Sequence, residues 1–339
     1  MTVDWSALPD LASRRFGGSV VAANDEFFAE RENLIKPEPP QYRPHTFTNK
    51  GQEYDGWETR RRRREPGDHD WAIIRLGIPG KVHTVIVDTA FFKGNHPPFC
   101  AIDGCSADGY PPPTDLDWAP LITRSTLAGD AANVFTVDSV WRYTHLRLRI
   151  FPDGGVARLR VHGTPVPDPQ WLADVPFDLA AMANGGAAIR CSDGFFSPPN
   201  NMLQPGESRF MSDGWETARR RDNGHDWAII RLTAQAVPRV VEIDTTHYKG
   251  NAPDRVSVAG VDATHADLDD DSAWHPVLPV TDLQPDTAHR FRATADRPVT
   301  HLRVDVFPDG GIGRFRAYGH LTANGTEQLT AAWRAARPV

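Results

Sequence analysis

Short stretches in which apolar and polar residues alternate run along most of the chain. In THLRLRI, Leu146, Leu148 and Ile150 alternate with Arg147 and Arg149, a period of two that predicts a strand with one buried face. Helical periodicity is scarce, with one candidate turn in DEFFAERENLI and a short C-terminal piece, EQLTAAWRAA. The pattern predicts an all-β fold of short strands and turns, of the sandwich or jelly-roll type.

Two turn signals determine the predicted connections. Residues 152–155 (PDGG) separate two alternating stretches, and Asp-Gly tolerates the positive φ of a hairpin turn. Residues 78–80 (IPG) separate WAIIRLG from KVHTVIVDT, which predicts an antiparallel hairpin of residues 71–77 and 81–89. The open end of this hairpin carries the polar stretches WETRRRRREPGDHD and AFFKGNHP. We therefore expect these stretches to meet at one end of the sandwich, where such folds usually place function.

Four stretches recur in the same order, so the chain is an internal duplication. GGSVVAANDEFF matches GGAAIRCSDGFF, GWETRRRR matches GWETARRR, VIVDTAFFKGNHP matches VEIDTTHYKGNAP, and THLRLRIFPDGG matches THLRVDVFPDGG. The predicted organisation is an N-terminal extension at 1–16, a first repeat at 17–163, a proline-rich linker at 164–184, a second repeat at 185–322 and a C-terminal tail at 323–339. Each repeat is predicted to be one β-sandwich domain.

Composition narrows the classes of partner. The 339 residues carry a net charge of −7, which repels nucleic acid as a whole and leaves the arginine run as a local feature. The three cysteines, Cys100, Cys105 and Cys191, form no CxxC pair, so neither a disulfide framework nor a structural zinc site is expected. No apolar stretch approaches the ~20 residues of a membrane span, and no secretory signal is recognised. We expect a soluble, cytoplasmic protein with neither a nucleic-acid nor a membrane partner.

The polar end of each sandwich carries the candidate chemistry. In the first repeat it comprises Glu58, Arg61, Arg62, Arg63, His69, Asp70, Lys93 and Asn95. In the second it comprises Glu216, Arg219, Arg220, Arg221, His225, Asp226, His247, Lys249 and Asn251. Guanidinium groups suit a carboxylate or a urea-like carbonyl, and a carboxyl group among cations suits proton transfer. The residues favour a small anionic substrate.

Each feature also has a structural explanation. The arginines could pair with nearby acids on a solvated loop, and the run lacks the interleaved aromatic residues of a nucleic-acid surface. The recurring histidines have no metal-ligand spacing, and His145 and His301, at a strand start, suit structural hydrogen bonds. Trp57, Trp71, Trp215 and Trp227 are assigned to the core rather than to a ligand platform. Asp88 and Asp244 are interpreted as strand-end caps.

GWETRRRR…DWAIIRLG, followed by KGN and THLR…FPDGG in both repeats, strongly resembles the allantoicase family, from about Gly17 to Gly319. The resemblance implies a tandem of jelly-roll domains related to galactose-binding, discoidin-like modules. It also implies hydrolysis of allantoate to (S)-ureidoglycolate and urea, a step of purine catabolism. The alternative is a non-catalytic tandem that binds glycans or small anions, because fold alone does not determine function.

With allantoate as substrate, roles can be assigned to the candidate residues. The predicted catalytic residues are Glu58, Glu216, Asp226 and His247. The predicted substrate-binding residues are Arg61, Arg62, Lys93, Asn95, Arg219, Arg220, Lys249 and Asn251. No ligand set for a metal is assigned, and a divalent metal is left open as a cofactor. A closed homo-oligomer is expected.

The two repeats differ at the polar end. Phe91 in the first stands where the second has His247, and the second arginine loop is two residues shorter. The sequence leaves open whether both repeats are active. The ionisable His247, beside Lys249 and Asn251, favours the second.

Overall fold

The computed structural model describes residues 7–62, 68–294 and 296–337, with Thr48 described by its backbone alone. Arg63, in the arginine run, lies outside the described residues. The chain divides into two compact units, one reaching to Val166 and the other running from Pro167 to Ala335. The division falls inside the predicted linker, and each unit contains one of the two predicted repeats.

The first unit is built almost entirely of strands. They are β1 (Ser19–Ala23), β2 (Phe47–Thr48), β3 (Gly51–Gln52), β4 (Trp57–Glu58), β5 (Asp70–Asp88), β6 (Phe99–Cys105), β7 (Ala119–Thr126), β8 (Ala132–Thr136), β9 (Arg142–Phe151), β10 (Gly155–Val156) and β11 (Arg158–Pro165). Short 3₁₀ turns occur at Arg14–Phe16, Arg31–Ile35 and Pro113–Asp115. The predicted helical turn in DEFFAERENLI is the turn at Arg31–Ile35.

Strand β5 takes part in both layers of the sandwich. Its first half lies between β1 and β9, in the order β1-β5-β9-β6-β7, and its second half pairs with β8 and β11. Asp70, at its start, lies opposite Ile150, and Asp88, at its end, lies opposite Arg158. Because only residues 151–157 separate those two partners, the strand must fold back, and both of its ends lie at the same turn.

The predicted hairpin of residues 71–77 and 81–89 is wrong. Residues 78–80 are not a turn, because β5 continues through them from one layer to the other, with a shift in its register against β9 between Arg75 and Gly80. A Cβ atom at Gly80 would lie 2.3 Å from the Thr164 carbonyl oxygen, so this corner requires a residue without a side chain. The ends of β5 nevertheless converge as the hairpin required, because the bend brings them together.

The predicted PDGG hairpin is also wrong. β9 and β11 do not pair with each other; each pairs with a different half of β5. Residues 152–157 therefore carry the chain from one layer to the other, and Gly154 has a φ of 142°. This crossing places the PDGG segment directly at the polar end of the sandwich.

The second unit repeats this topology. Its elements are β12 (Phe177–Asp178), β13 (Ala187–Cys191), β14 (Trp215–Glu216), β15 (Asp226–Asp244), β16 (Arg255–Val261), β17 (His275–Asp282), β18 (Ala288–Arg292), β19 (Val299–Phe307), β20 (Gly311–Ile312), β21 (Arg314–Leu321) and the helix α1 (Ala323–Ala335). β15 joins its two layers as β5 does, with Asp226 opposite Val306 and Asp244 opposite Arg314. The predicted all-β tandem of jelly-roll sandwiches is confirmed.

The core lies between the two layers of each sandwich. Leu146, Leu148 and Ile150 are fully buried, as the period of two predicts, while Arg147 and Arg149 remain partly exposed. The predicted C-terminal helical piece is α1, which lies in the segment predicted as a tail. Among the described residues, no helix is both long and apolar enough to cross a membrane.

Candidate active site

The GWET stretch forms a short strand at the polar end of each sandwich. In the first repeat β4 pairs with β10, so that Glu58 lies opposite Gly155 and Trp57 opposite Val156. Trp57 is fully buried, and its indole Nε1 donates to the Asp25 carbonyl at 2.8 Å. A tryptophan held in the core thus fixes the position of the glutamate beside it.

The core assignment of the tryptophans is confirmed for Trp57 and for Trp215, its equivalent in the second repeat, since both are fully buried. Trp71 and Trp227 are only partly buried. Trp215 Nε1 donates to the Asp193 carbonyl at 2.8 Å, the same contact that Trp57 makes.

The glutamate of GWET and the asparagine of KGN meet in both repeats. Asn95 Nδ2 donates to Glu58 Oε1 at 2.8 Å, and Asn251 Nδ2 donates to Glu216 Oε1 at 2.6 Å. The predicted meeting of the two stretches is therefore confirmed. Burial raises the pKa of Glu58 above its ordinary value, and the hydrogen bond from Asn95 partly offsets this rise.

The PDGG segment connects these two stretches. The Gly155 amide donates to the Asn95 carbonyl at 2.8 Å, and the Thr59 amide donates to the Gly154 carbonyl at 3.2 Å. A Cβ atom at Gly155 would lie 2.0 Å from the Phe92 ring, so only glycine permits this approach. The segment holds the Glu–Asn pair at a fixed separation.

A cleft of about 510 Å³ opens at this point in the first repeat. Six of the residues that line it are Phe28, Glu58, Arg61, Arg62, Asn95 and Asp153. A volume of this size is ample for a small organic anion. The cleft therefore contains four of the predicted site residues. Three of them precede β5 in the chain and the fourth follows it: Glu58, Arg61, Arg62 and Asn95.

Neighbouring arginines of the run have different environments. Arg62 Nε donates to Asp70 Oδ1 at 2.5 Å and its Nη1 donates to Asp68 Oδ2 at 2.7 Å. The backbone amide of Arg62 also donates to Asp153 Oδ2 at 2.5 Å. Among the described residues, the exposed Arg61 guanidinium has neither an ion-pair nor a hydrogen-bond partner. Arg62 is held by carboxylates, and Arg61 is available to a ligand.

The second repeat shows the same division. Arg220 Nη1 donates to Asp226 Oδ1 at 2.7 Å, and its Nε and Nη2 both donate to Asp222 at 2.9 Å. The Arg219 guanidinium has no such partner within the described ranges. Asp226 is almost fully buried, and its Oδ1 also accepts from Ser192 at 2.8 Å. The structure thus places Asp226 in an ion pair, and its catalytic role stays a prediction.

The two predicted lysines lie on the outer side of the KGN loops. Lys93 and Lys249 have side chains that are 78% and 79% exposed, and they face Asp130 and Asp286 at 3.7 and 3.8 Å. Exposed pairs of this kind contribute little to stability. No described contact joins either lysine to the Glu–Asn pair of its repeat, so their role in substrate binding stays a prediction.

His247, the residue that favoured the second repeat, is anchored to the backbone. Its Nε2 lies 2.8 Å from the Ser208 carbonyl, and since a carbonyl oxygen only accepts, Nε2 carries the proton. Phe91, at the matching position, instead packs against the Tyr42 ring, with centroids 5.5 Å apart. Position 91/247 therefore contacts the segment before GWET in both repeats. The acid–base role of His247 stays a prediction.

The two histidines at strand starts and the two strand-end aspartates make the structural contacts predicted for them. Nδ1 of His145 and of His301 lies 2.9 Å from the hydroxyl of the preceding threonine, and burial lowers the pKa of both histidines to about 4. Asp88 and Asp244 each accept the backbone amide two residues on, at 2.8 Å. Among the described residues, no three His, Cys, Asp or Glu side chains converge as a metal site would require.

Sequence reasoning missed two features of the site. Phe28 lines the cleft, and its amide donates to the Glu58 carbonyl at 3.2 Å. The recurrence of the FF pair in NDEFF and SDGFF was the available signal. The other is Arg158, which alternates with the apolar Leu159 and Val161 along the chain and yet is only 1% exposed.

Arg158 and its equivalent Arg314 act as clamps behind the GWET strand. Arg158 donates to the carbonyls of Glu38 and Asp55 at 3.0 Å and to Asp55 Oδ2 at 2.7 Å. Arg314 donates to Asp213 Oδ2 at 3.0 Å and to several carbonyls of the preceding loop, including Gly206 at 3.0 Å. Both arginines tie the segment before GWET to the strand after PDGG.

This fold and site define a class, a tandem of jelly-roll sandwiches with a Glu–Asn pair and an exposed arginine at the polar end of each. Comparison with known proteins identifies the family. The model of the family described as "Allantoicase repeat" matches residues 9–166 and 177–322. Similar proteins are the probable allantoicase of Nocardia farcinica, 50% identical over 94% of this chain and 95% of that protein, and the probable allantoicase of Streptomyces coelicolor, 49% identical over 95% and 88%.

A solved structure agrees with these relatives. The crystal structure of allantoicase from Saccharomyces cerevisiae is 33% identical, covers 92% of this chain and 93% of its own, and superposes with a TM-score of 0.73. The chain belongs to the allantoicase family. The predicted class, a hydrolase with the small molecule allantoate as substrate, is confirmed by this membership.

Proposed function

We propose that the chain hydrolyses allantoate to (S)-ureidoglycolate and urea in the cleft of the first repeat. The observation that carries this placement is the presence of Glu58, Asn95 and Arg61 in one cleft of about 510 Å³. Glu58 supplies the proton-transfer group, Asn95 orients it, and Arg61 binds the anion.

Arg61 suits the carboxylate of allantoate because no carboxylate of the described chain occupies it. A guanidinium holds a carboxylate through two parallel N–H···O bonds, which fixes orientation as well as affinity. Arg62 lies in the same cleft but already donates to Asp70 and Asp68. We assign Arg62 to positioning of the loop and Arg61 to the substrate.

Glu58 has one oxygen committed and one available. Oε1 accepts from Asn95 at 2.8 Å, whereas Oε2 has no hydrogen-bond partner among the described residues. Because burial raises the pKa of Glu58, its protonated form persists to higher pH than that of an ordinary glutamate. An acid of this kind is suited to protonating a leaving group.

In the proposed reaction, the bond between the central carbon of allantoate and one ureido nitrogen breaks. Its electron pair stays on that nitrogen, which takes the proton of the Glu58 carboxyl and leaves as urea. One water molecule forms the new C–O bond, and its released proton returns to the Glu58 carboxylate. Allantoate and water become ureidoglycolate and urea, and Glu58 ends in its starting state.

The second repeat has the same Glu–Asn contact, between Asn251 and Glu216, and Arg219 is the counterpart of Arg61 in its sequence. Measuring urea released from allantoate by Glu58→Gln, Glu216→Gln and the double variant separates the repeats. We expect Glu58→Gln to lower kcat by on the order of 10²-fold or more and Glu216→Gln to have a smaller effect. Both substitutions keep an oxygen that can accept from the asparagine, so folding should be preserved.

Three outcomes would contradict the proposal. The reverse order of effects would place the chemistry in the second repeat, where His247 and Asp226 would again be the candidates. Unchanged kcat in the double variant would remove this pair of glutamates from the mechanism. Absence of urea from folded wild-type protein, with and without divalent ions, would favour a non-catalytic binding module.

We propose further that the enzyme works in the cytoplasm as a closed homo-oligomer, with neither nucleic acid nor membrane as a partner. The net charge of −7 opposes binding to polyanions, and the three cysteines are free thiols, as is usual in a reducing compartment. Light scattering tests the assembly, and a single species of 37.6 kDa would contradict it.

A further inference from the structure

An exposed pair of phenylalanines recurs beside the Glu–Asn pair of both repeats. Phe27 and Phe28 are 43% and 42% exposed, and Phe195 and Phe196 are 73% and 59% exposed. Aromatic side chains of this size usually bury most of their surface. Two adjacent exposed rings, kept at the same place in both copies, require another explanation than packing.

The loop that carries the rings is firmly held, so their exposure is not that of a loose segment. In the first repeat Asn24 Nδ2 donates to the buried Asp70 at 2.8 Å, and the Trp71 amide donates back to Asn24 Oδ1 at 2.7 Å. In the second, Ser192 makes the equivalent contacts with Asp226 at 2.8 Å and with the Trp227 amide at 2.9 Å. Two different side chains thus preserve one loop position.

The second phenylalanine of each pair is hydrogen-bonded through its backbone to the glutamate. The amides of Phe28 and Phe196 donate to the carbonyls of Glu58 and Glu216, both at 3.2 Å. Phe28 lines the same cleft as Glu58, Arg61 and Asn95. The other lining residues are polar or charged side chains, two glycines and two prolines, so Phe28 supplies the phenyl ring of the cleft.

The first ring of each pair braces the second. Phe27 and Phe28 meet edge to face, with centroids 5.1 Å apart and planes at 87°, and Phe195 and Phe196 meet at 4.9 Å and 85°. In the first repeat the Arg60 guanidinium and the Lys50 ammonium also lie 5.3 Å from the Phe27 centroid. Cations over its face help to hold Phe27, and Phe27 in turn limits the movement of Phe28.

We propose that Phe28 is a specificity-determining residue whose ring packs against a planar ureido group of the substrate. This inference rests on the proposed function of the same cleft. A ureido group is flat and uncharged, so its face packs on an aromatic ring, while its edge remains available for hydrogen bonds. Arg61 recognises the carboxylate, Phe28 recognises the ureido plane, and the two together select a carboxylate that carries a ureido substituent.

Phe28→Leu tests the inference, because leucine keeps most of the volume and removes the flat face. We expect KM for allantoate to rise on the order of tenfold with a smaller change in kcat. Phe28→Tyr keeps the ring and should restore KM to within about twofold of the wild-type value. Phe47→Leu is the matched control, since Phe47 is an exposed phenylalanine of the same repeat that does not line the cleft, and Phe196→Leu probes the second repeat.

Two inhibitors sharpen the test. N-carbamoylglycine carries one carboxylate and one ureido group, whereas malonate carries two carboxylates and no ureido group. Phe28→Leu should weaken inhibition by N-carbamoylglycine on the order of tenfold and leave inhibition by malonate unchanged, because Arg61 is intact. Equal losses for both inhibitors would indicate a general disturbance of the cleft and would overturn the inference.

The outcomes distinguish this inference from the proposed function. Wild-type protein that releases no urea contradicts the proposed function itself. Wild-type protein that releases urea, with Phe28→Leu and Phe28→Tyr equal in KM and in inhibition, contradicts only the role of Phe28. If Phe28→Leu does not fold, as judged by circular dichroism, Phe28→Met provides the same comparison with a more adaptable side chain.

Discussion

The two repeats share the Glu–Asn pair at the polar end of the sandwich but differ in the residues that surround it. Glu58 with Asn95 and Glu216 with Asn251 have the same strand pairing, the same asparagine donor and the same supporting PDGG segment. Around this constant part the side chains diverge. The first repeat has the β2–β3 hairpin before GWET, whereas the second has a 3₁₀ turn at Met211–Asp213.

The divergence affects mainly the aromatic pair. Arg60 lies over the Phe27 ring and pairs with Asp25 at 2.7 Å, but the matching residue of the second repeat is Ala218, whose amide donates to Asp193. Phe195 is accordingly more exposed than Phe27. The duplication has preserved the Glu–Asn contact more strictly than the surroundings of the aromatic pair, which is the basis for expecting unequal activity.

The largest expected effect tests the clamps that the repeats share. Arg158→Ala and Arg314→Ala each remove a buried cation from a largely buried carboxylate and from several carbonyls, so each should cost about 3–5 kcal/mol of unfolding free energy. Both side chains are almost fully buried. Because Arg314 donates to more carbonyls than Arg158, Arg314→Ala should cost more unfolding free energy. Hydrogen exchange at β4 and β14 reports the two repeats separately.

Arg43→Ala is the control for the clamps, because the Arg43 side chain is 51% exposed and pairs with the partly exposed Glu53. A change below about 1 kcal/mol is expected there. Clamp variants as stable as this control would show that these arginines do not secure the GWET strand. Equal losses of unfolding free energy for Arg158→Ala and Arg314→Ala would show that the loss does not depend on how many carbonyls each arginine donates to.

A smaller effect separates adjacent arginines of the run. Arg61→Ala should raise KM for allantoate on the order of tenfold or more through loss of a charged hydrogen bond, with the melting temperature unchanged. Arg62→Ala should lower the melting temperature, because Asp70 is buried and loses its cation. Kinetics and thermal unfolding of both variants check the division.

The matching substitutions in the second repeat, Arg219→Ala and Arg220→Ala, compare the two repeats directly. If only the first repeat is active, Arg219→Ala should leave KM unchanged while Arg220→Ala still lowers the melting temperature. A KM effect at Arg62 with none at Arg61 would reverse the assignment of the two arginines.

The smallest expected effect concerns pH and the burial of Glu58. Burial raises the pKa of Glu58 in the folded protein, and the Asn95 hydrogen bond lowers it less. A raised pKa means that the folded state holds the proton more tightly than the unfolded state, so stability is lost as pH rises through the folded-state pKa. Glu58→Gln should therefore melt at a higher temperature than wild type at neutral pH.

Below the ordinary glutamate pKa both proteins are uncharged at this position, and their melting temperatures should converge. Thermal unfolding of wild type and Glu58→Gln across this range measures the difference directly. A wild-type protein that is the more stable at neutral pH would show that the carboxylate is favourably held, contrary to an acid poised for proton transfer.

The repeats made the site predictable from sequence even where the predicted topology was wrong. The Glu–Asn contact was expected from a hairpin at residues 78–80, but β5 runs through these residues to the other layer. In the second copy the matching residues are Ala234, Gln235 and Ala236, which contain no turn signal. That mismatch between copies was the available evidence that Pro79 and Gly80 mark a corner rather than a turn.

Other features depend on packing that periodicity does not encode. Arg61 and Arg62 are adjacent and chemically identical, and only the position of Asp68 and Asp70 decides which of them is paired. Arg158 alternates with Leu159 as a surface residue would, yet the loop before GWET covers it. Phe28 was grouped with a helical turn that begins only at Arg31, so its place beside Glu58 was not foreseen.

A strand shared by two layers, such as β5, also affects how each repeat unfolds. Unfolding of β5 as one unit would break its pairing with β9 in one layer and with β11 in the other. The loss of this strand from one layer is therefore coupled to its loss from the other. Amide protons of β9 and β11 should exchange with solvent together, in one cooperative opening, although the two strands never touch through a hydrogen bond.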